Sequence, residues 1–333
     1  MKFYSVCIVL ISLVLFFIFN WLSKKLNLID YPNIRKQHKN PVPYTGGICI
    51  SVTFLMIIYM TNFDLKNINL LLSYGFLISL VGLIDDKLSL QPGNKLVLQI
   101  LPVILIIYQG IYLTNIGDFG SFGVLELGSF DKVFTILAVI LFINAFNYSD
   151  GSDGISGFIS IIILATYIFY LNDLNSEVSK IIFLIMLPIL VFLLFNLKLK
   201  IFPQFFLGDS GSLLLGFIIG FLSIELAENH LVDPLLIIWP LSYLIYEFLS
   251  TNIIRVIKNK SLVVPGSDHL HYELNSRYKN KYFTIFIIST INLFFILLGN
   301  IIYNHTSNLI TFISFIIFFI FYFLLRMNFF NRN

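Results

Sequence analysis

Eleven apolar runs, each about long enough to cross a bilayer as a helix, are what this sequence must first accommodate. They lie near 4–22, 46–61, 68–84, 95–110, 130–146, 155–171, 178–196, 212–227, 234–257, 282–303 and 309–327. The hydrocarbon core offers no water to unpaired backbone groups, so runs of this kind cross it as helices. The expected fold class is therefore an all-α polytopic membrane protein, read as one domain over 1–333. A composition 58% hydrophobic and 12% charged excludes an ordinary soluble domain. The first run is too long for a signal-peptide core and has no small-residue cleavage site, so it reads as a retained span. Cys7 and Cys49 lie within apolar runs and read as small buried hydrophobes.

Cytoplasmic loops carry an excess of Lys and Arg. Of the 21 such residues, only Lys2, Lys66, Lys132 and Lys180 fall on one side of the alternating loops. The N-terminus is thereby expected outside and the C-terminus in the cytoplasm. Because the basic residues are sorted by side and not gathered into a patch, no nucleic-acid partner is expected. The longest outer loop, 111–129, alternates and is punctuated by Gly, and is expected to form a short periplasmic β-hairpin.

Orientation also collects the chemistry. The five polar segments with unusual residues all fall on the cytoplasmic side. The most constrained is NAFNYSDGSDGISG, 144–157, which packs two Asn, two Asp and three Gly between apolar runs. A plain turn needs less, and carboxylates at membrane depth face a cavity, a partner or an ion. If this segment turns as a helix, Asn147, Asp150 and Asp153 share a face, with Asn144 preceding them on the same stripe.

Two adjacent carboxylates, Asp85 and Asp86, end the third run. They repel one another and oppose the helix dipole, which favours a catalytic or cation-linked role. Lys87 and Lys95 follow, as phosphate contacts or as topology charges. In RKQHKNPVPYTGG, Pro41 and Pro43 before Gly46 and Gly47 suggest a backbone held on a set path, and Arg35 and His38 are candidate substrate contacts. In FLGDSGS, Asp209 is an N-cap or a carboxylate for Mg²⁺, with the first helical amides free for an anion. In SDHLHYEL, His269 and His271 cannot share one helical face, and no Cys or third His lies near, so zinc is not expected. An anion contact or a proton donor fits them better. Glu247, inside the ninth run, requires a partner.

Together, DDK after the third run, NAFNYSDGSDG after the fifth, FLGDSGS before the eighth and HLH in the last large loop resemble the polyprenyl-phosphate N-acetylhexosamine-1-phosphate transferase family. That family is of the glycosyltransferase family 4 type, and the likeness covers about 35–274. The two separated His are closest to the undecaprenyl-phosphate GlcNAc-1-phosphate transferase branch. The branch that makes the first lipid-linked peptidoglycan precursor has three His in succession. Departures lie at Tyr44, Tyr148, Ser149, Ser152 and Glu247.

The resemblance implies transfer of a sugar-1-phosphate from a UDP-N-acetylhexosamine to undecaprenyl phosphate, with release of UMP. It implies Mg²⁺ or Mn²⁺ as cofactor and a place in the bacterial inner membrane among membrane lipid. It further implies Asp85 as base on the lipid phosphate with Asp86 beside it, Asp209 as metal ligand, and Asn147 as second ligand or pyrophosphate contact. Asp150 and Asp153 would face the nucleotide, Asp153 reading the uracil, and His269 and His271 would lie near the diphosphate. Such enzymes initiate surface polysaccharides, lipopolysaccharide or cell-wall polymers. The alternatives are the phospho-MurNAc-pentapeptide transferase reaction or, from another class, a secondary transporter. Oligomeric state, a homodimer included, is left open.

Overall fold

The structure, a computed structural model, describes every residue except 33–39, 62, 152, 200, 263–265, 267 and 331–333. Arg35 and His38 lie outside the described residues.

Ten of the eleven expected runs are each one unbroken helix. In chain order these are α1 (Lys2–Leu26), α2 (Gly46–Met60), α3 (Lys66–Leu88), α4 (Pro92–Tyr108), α5 (Asp131–Ser149), α6 (Ile155–Leu171), α7 (Glu177–Asn196) and α8 (Gly208–Glu228). The ninth run is split into α9 (Pro234–Ile237) and α10 (Ser242–Ile257). A ninth-run break has a local cause, since Pro240 cannot donate to the carbonyl four residues back and its ring collides with it. The backbone crosses the break through i→i+3 bonds such as Ser242 N–H to the Trp239 carbonyl, 3.1 Å. A short polar helix, α11 (Leu270–Tyr278), precedes the last two, α12 (Lys281–His305) and α13 (Asn308–Phe330). Among the described residues, seven helices are long and apolar enough to cross a membrane. The chain is thus an all-α polytopic membrane protein.

Strands are few. The expected hairpin is present as β3 (Asn115–Asp118) paired antiparallel with β4 (Val124–Glu126). It lies at the end of the bundle opposite the polar motifs, where Gly117 packs on Leu235 and the Asn308 side chain donates to the Asp118 carbonyl at 2.5 Å. A second pair, β1 (Ile29–Asp30) with β2 (Val42–Pro43), brackets the loop after α1. The alternation pattern gave no sign of it, because two-residue strands have no period.

Helix α8 is the hub. Nearly all its residues from Ser210 to Ala227 are buried, while α1 and α13 turn broad faces outward. Small residues permit this enclosure, as they do generally where membrane helices meet. A methyl at Gly216 would stand 2.5 Å from Ile143 Cα and 2.6 Å from the Phe142 carbonyl oxygen, so α5 crosses α8 backbone to backbone. One apolar cluster runs from Ile8 to Ile288, and a second, aromatic one joins Trp239, Tyr246, Phe295, Phe315 and Tyr322 between α10, α12 and α13.

Candidate active site

The end of the first polar loop is held by backbone hydrogen bonds to the segment before α8. The Phe206 amide donates to the Pro43 carbonyl at 2.9 Å, and the first two amides of α2 donate back, Gly46 to Phe206 at 3.1 Å and Gly47 to Leu207 at 2.9 Å. Gly47 lies directly on the backbone of Ser210 and Gly211, leaving no room for a side chain at Gly47 or at Gly211. The N-termini of α2 and α8 are thereby locked together, and the residue this lock places is Asp209.

Asp209 is the centre of the polar cluster. Lys95, on the first turn of α4, reaches its Oδ2 at 2.5 Å and Asp85 Oδ2 at 2.7 Å, bridging the ends of α3 and α8. Asp85 Oδ1 accepts the Leu90 amide at 2.9 Å, which fixes the tight α3–α4 turn. Asn147 donates its amide to Asp209 Oδ1 at 2.7 Å and to Ser212 Oγ at 3.0 Å. Its carbonyl oxygen takes no hydrogen bond among the described residues, and so is available as an oxygen ligand.

Asp86 points to the other side of the same helix end. Its Oδ2 lies 3.4 Å from the Ser210 amide, at the N-terminus of α8. The amides expected to be free for an anion are therefore already served by a carboxylate of this chain. The same contact ties the end of α3 to the turn that carries Asp209.

The helical stripe through Asn144, Asn147, Asp150 and Asp153 is only half present. Helix α5 ends at Ser149, Asp150 is its C-cap, and Gly154 takes φ +88°, so the chain leaves the helix before Asp153. Asn144 stays one turn deeper, donating to the Ile140 carbonyl at 2.8 Å. Asp153 instead pairs with Lys281 at 3.0 Å. Asp150 remains with the acidic group: burial, with the charges of Asp209, Asp86 and Asp153, pushes its carboxyl well above the usual range. Lys87, exposed, makes no ion pair among the described residues and lines an apolar cleft of about 400 Å³ with Leu26, Leu28, Leu83, Ile84 and Leu88. Of the two lysines, it is Lys95 that enters the acidic cluster.

The histidines also differ from expectation, for a local reason. His269 is the extended N-cap of α11 (φ −84°, ψ 152°) and only His271 lies on the helix, so the two rings do stack, 5.7 Å apart and 6° from parallel. His269 rests on Tyr148 of α5 at 4.6 Å. His271 packs with Tyr272 on Gly151, leaving no space for a methyl there, so the third and fifth polar segments are in contact. Burial lowers the pKa of both rings, that of His271 to about 3, aided by the neighbouring His269. Both act as neutral imidazoles near pH 7, and His271 Nε2 has no hydrogen-bond partner among the described residues.

Sequence reading missed three participants. Tyr272 abuts Gly151, Ser212 holds Asn147, and the Arg255 guanidinium lies 5.7 Å from the Tyr148 ring while pairing with Asp268 at 2.6 Å. Arg255 carried a signal, as a charge at the end of an apolar run, but one that topology alone explains.

A cation fits this group by the chemistry of its donors. Asp85, Asp86, Asp150 and Asp209 offer hard carboxylate oxygens, with the free Asn147 carbonyl beside them, which suits Mg²⁺ or Mn²⁺. Lys95 occupies the gap between Asp85 and Asp209, and among the described residues no three His, Cys, Asp or Glu side chains are gathered as a ready cage.

A membrane bundle whose helix ends converge on carboxylates, an ammonium and a carboxamide defines a polytopic membrane protein with an enzyme-like polar centre. Residues 68–227, which span α3 to α8, match the sequence profile of Glycosyl transferase family 4. The chain is similar to the undecaprenyl-phosphate alpha-N-acetylglucosaminyl 1-phosphate transferase of Yersinia pestis, 26% identical over 273 residues, 80% of this chain and 74% of the relative. The Haemophilus influenzae protein of that name is 29% identical over 259 residues, 76% and 72% of the two chains. That of Escherichia coli K12 is 25% identical over 257 residues, 75% and 70%.

Proposed function

We propose that this protein transfers a sugar-1-phosphate, N-acetylhexosamine-1-phosphate, from a UDP-sugar to undecaprenyl phosphate. UMP leaves and a polyprenyl-diphosphate-linked sugar is formed that initiates a cell-surface polysaccharide. The observation that carries this reading is the convergence of Asp85, Lys95, Asn147 and Asp209 from four helices at one end of the bundle. The names of the relatives supply the substrate class. The charge sorting of the loops supports a cytoplasmic site in an inner membrane, with the N-terminus outside.

The reaction must bring two anions together, a lipid phosphate and a diphosphate. Asp209 and Asn147 would hold Mg²⁺ or Mn²⁺, which when bound supplies charge neutralisation to the diphosphate and the departing UMP. The chain's own groups do the rest. Asp85, fixed by Leu90 and Lys95, is placed to orient the attacking phosphate oxygen and take any proton it still carries. Lys95 adds a permanent positive charge where negative charge gathers, and neutral His269 and His271 offer ring N–H donors without a competing charge.

The test is purified protein with a panel of UDP-N-acetylhexosamines, undecaprenyl phosphate and Mg²⁺, measuring UMP. UMP release with one of the sugars, lost in Asp209→Asn while the protein still folds, is expected. Absence of UMP with every sugar, together with uptake of a solute into vesicles, would turn the assignment to a transporter.

A further inference from the structure

Arg326, near the end of the last helix, is 3% exposed and touches none of the groups assigned so far to the reaction. Its guanidinium nevertheless makes four hydrogen bonds around the two-histidine segment. Nε and Nη2 reach the two oxygens of Glu247 at 2.9 and 3.2 Å. Nη1 reaches Glu273 Oε2 at 2.9 Å and Nη2 the Asp268 carbonyl at 3.0 Å. Glu247 passes the constraint on, because its Oε1 also accepts the amide of Leu270 at 2.7 Å, while its Oε2 accepts the Tyr322 hydroxyl at 2.7 Å.

The three points held are the carbonyl before His269, the amide between the two histidines and the side chain two residues after His271. A backbone fixed at 268, 270 and 273 has its ring directions fixed too, and those rings are the ones that lie on Tyr148 and Gly151. Stability alone gives little reason for such an arrangement. Buried ion pairs seldom outdo well-packed apolar residues of the same volume, and their best attested use is to specify one geometry. The planar fork of Arg suits several fixed acceptors at once, which an ammonium does not.

We infer that Arg326 is a positioning residue: from the last membrane helix, and through Glu247, it sets the placement of His269 and His271 against the 150–154 loop. The inference rests on the transferase reading above. It also gives a role in the site to α13, which lies beyond the 68–227 stretch that matches the family profile.

The test uses the full chain in lipid nanodiscs, with wild type, Arg326→Lys and Arg326→Met. Turnover is read as UMP released per UDP-binding site, so that an unfolded fraction does not count as slow enzyme, and amide exchange is followed by mass spectrometry. Arg326→Lys is expected to lose about tenfold or more in turnover per site, since small misplacements near a reacting centre are costly. UDP affinity should stay within about threefold, and exchange should quicken across 268–278 but not across 89–91. Arg326→Met should act in the same direction and further; if it does not fold, Arg326→Lys decides alone. Unchanged turnover per site, or exchange quickened evenly over both segments, overturns the inference. Failure of wild type to release UMP would instead sink the transferase reading, and the exchange result stands apart from it.

Discussion

Replacing Gly47 by Ala adds one methyl group at the point where α2 and α8 are in backbone contact. That methyl would fall far inside 3.0 Å of the Gly211 amide nitrogen and Cα and of the Ser210 carbonyl carbon, all backbone atoms. Backbone cannot rotate aside as a side chain can, so the two helices must part, by more than about 1 Å, to restore ordinary contact. Overpacking of this kind costs about 1–3 kcal/mol of stability. The larger effect is expected on chemistry, because the displaced turn carries Asp209, and a misplacement of about 1 Å costs about 10²-fold in rate. Two controls separate the effects. At Gly75 an added methyl meets only side-chain tips, Ile218 Cδ1 at 2.8 Å and Leu214 Cδ1 at 3.1 Å, in the middle of the bundle. At Gly93 it meets nothing within 4 Å. UMP release and thermal melts in the same detergent should show turnover down about 10²-fold for Gly47→Ala, a lowered melting temperature with turnover within about threefold for Gly75→Ala, and no change for Gly93→Ala. Full activity in Gly47→Ala would show that the α2–α8 lock does not place the acidic group.

Lys95→Gln leaves Asp85 and Asp209 facing each other without their shared cation, so turnover should fall by about 10²-fold or more, while Mg²⁺ or Mn²⁺ raises the melting temperature at lower concentration than in wild type; an undiminished rate would remove Lys95 from the site. Acid should weaken the fold through His271. Its folded pKa of about 3 lies below the ordinary 6.5, so the neutral ring's contribution is complete above pH 6.5 and is lost as pH falls toward 3. Between pH 7 and pH 5 that loss is about 2 kcal/mol, so wild type should lose more melting temperature over this interval than His271→Gln. Equal losses would show that His271 is not held neutral by its burial.

The bundle was legible because periodic apolar length is a local property. The runs and the hairpin follow from residues near in sequence, whereas the end of the first loop is fixed by Phe206 and Leu207, far along the chain. The acidic centre was legible as four motifs on one side, but the duty of each residue was not. Which of Lys87 and Lys95 joins the carboxylates depends on where α4 starts relative to α8. That Asp86 caps α8, and so fills the amides left open for an anion, depends on two helix ends 120-odd residues apart meeting. The stacked histidines required knowing that α11 begins at Leu270, because a shift of one residue in its start would have separated the rings. Arg326 read as one more inside-facing charge, since nothing local distinguishes an arginine that fixes topology from one that gathers four acceptors.

The helix ends bear on how the acidic centre would receive a diphosphate. Asp85 and Asp86 end α3 and Asp150 ends α5, and a C-terminal dipole disfavours negative charge at each. Asp86 meets the N-terminus of α8, and Asp85 recovers some of that cost by meeting Lys95. Asp150 has neither, and its carboxyl is driven up by burial and by the charges of Asp209, Asp86 and Asp153. A diphosphate entering this field meets more carboxylates than ammonium groups and should bind weakly until a divalent ion joins it. Asp150→Asn removes a carboxyl that this environment holds toward its neutral form, and that gains a repelling charge only as pH rises, without touching the Asp85–Lys95–Asp209 bridge. Calorimetry with UDP-sugar in EDTA should therefore find tighter binding in Asp150→Asn than in wild type at alkaline pH, with the gap closing as pH falls and narrowing once Mg²⁺ is added. Weaker binding in the variant under both conditions would mean that Asp150 holds the nucleotide directly, and that repulsion from this carboxylate does not govern entry to the site.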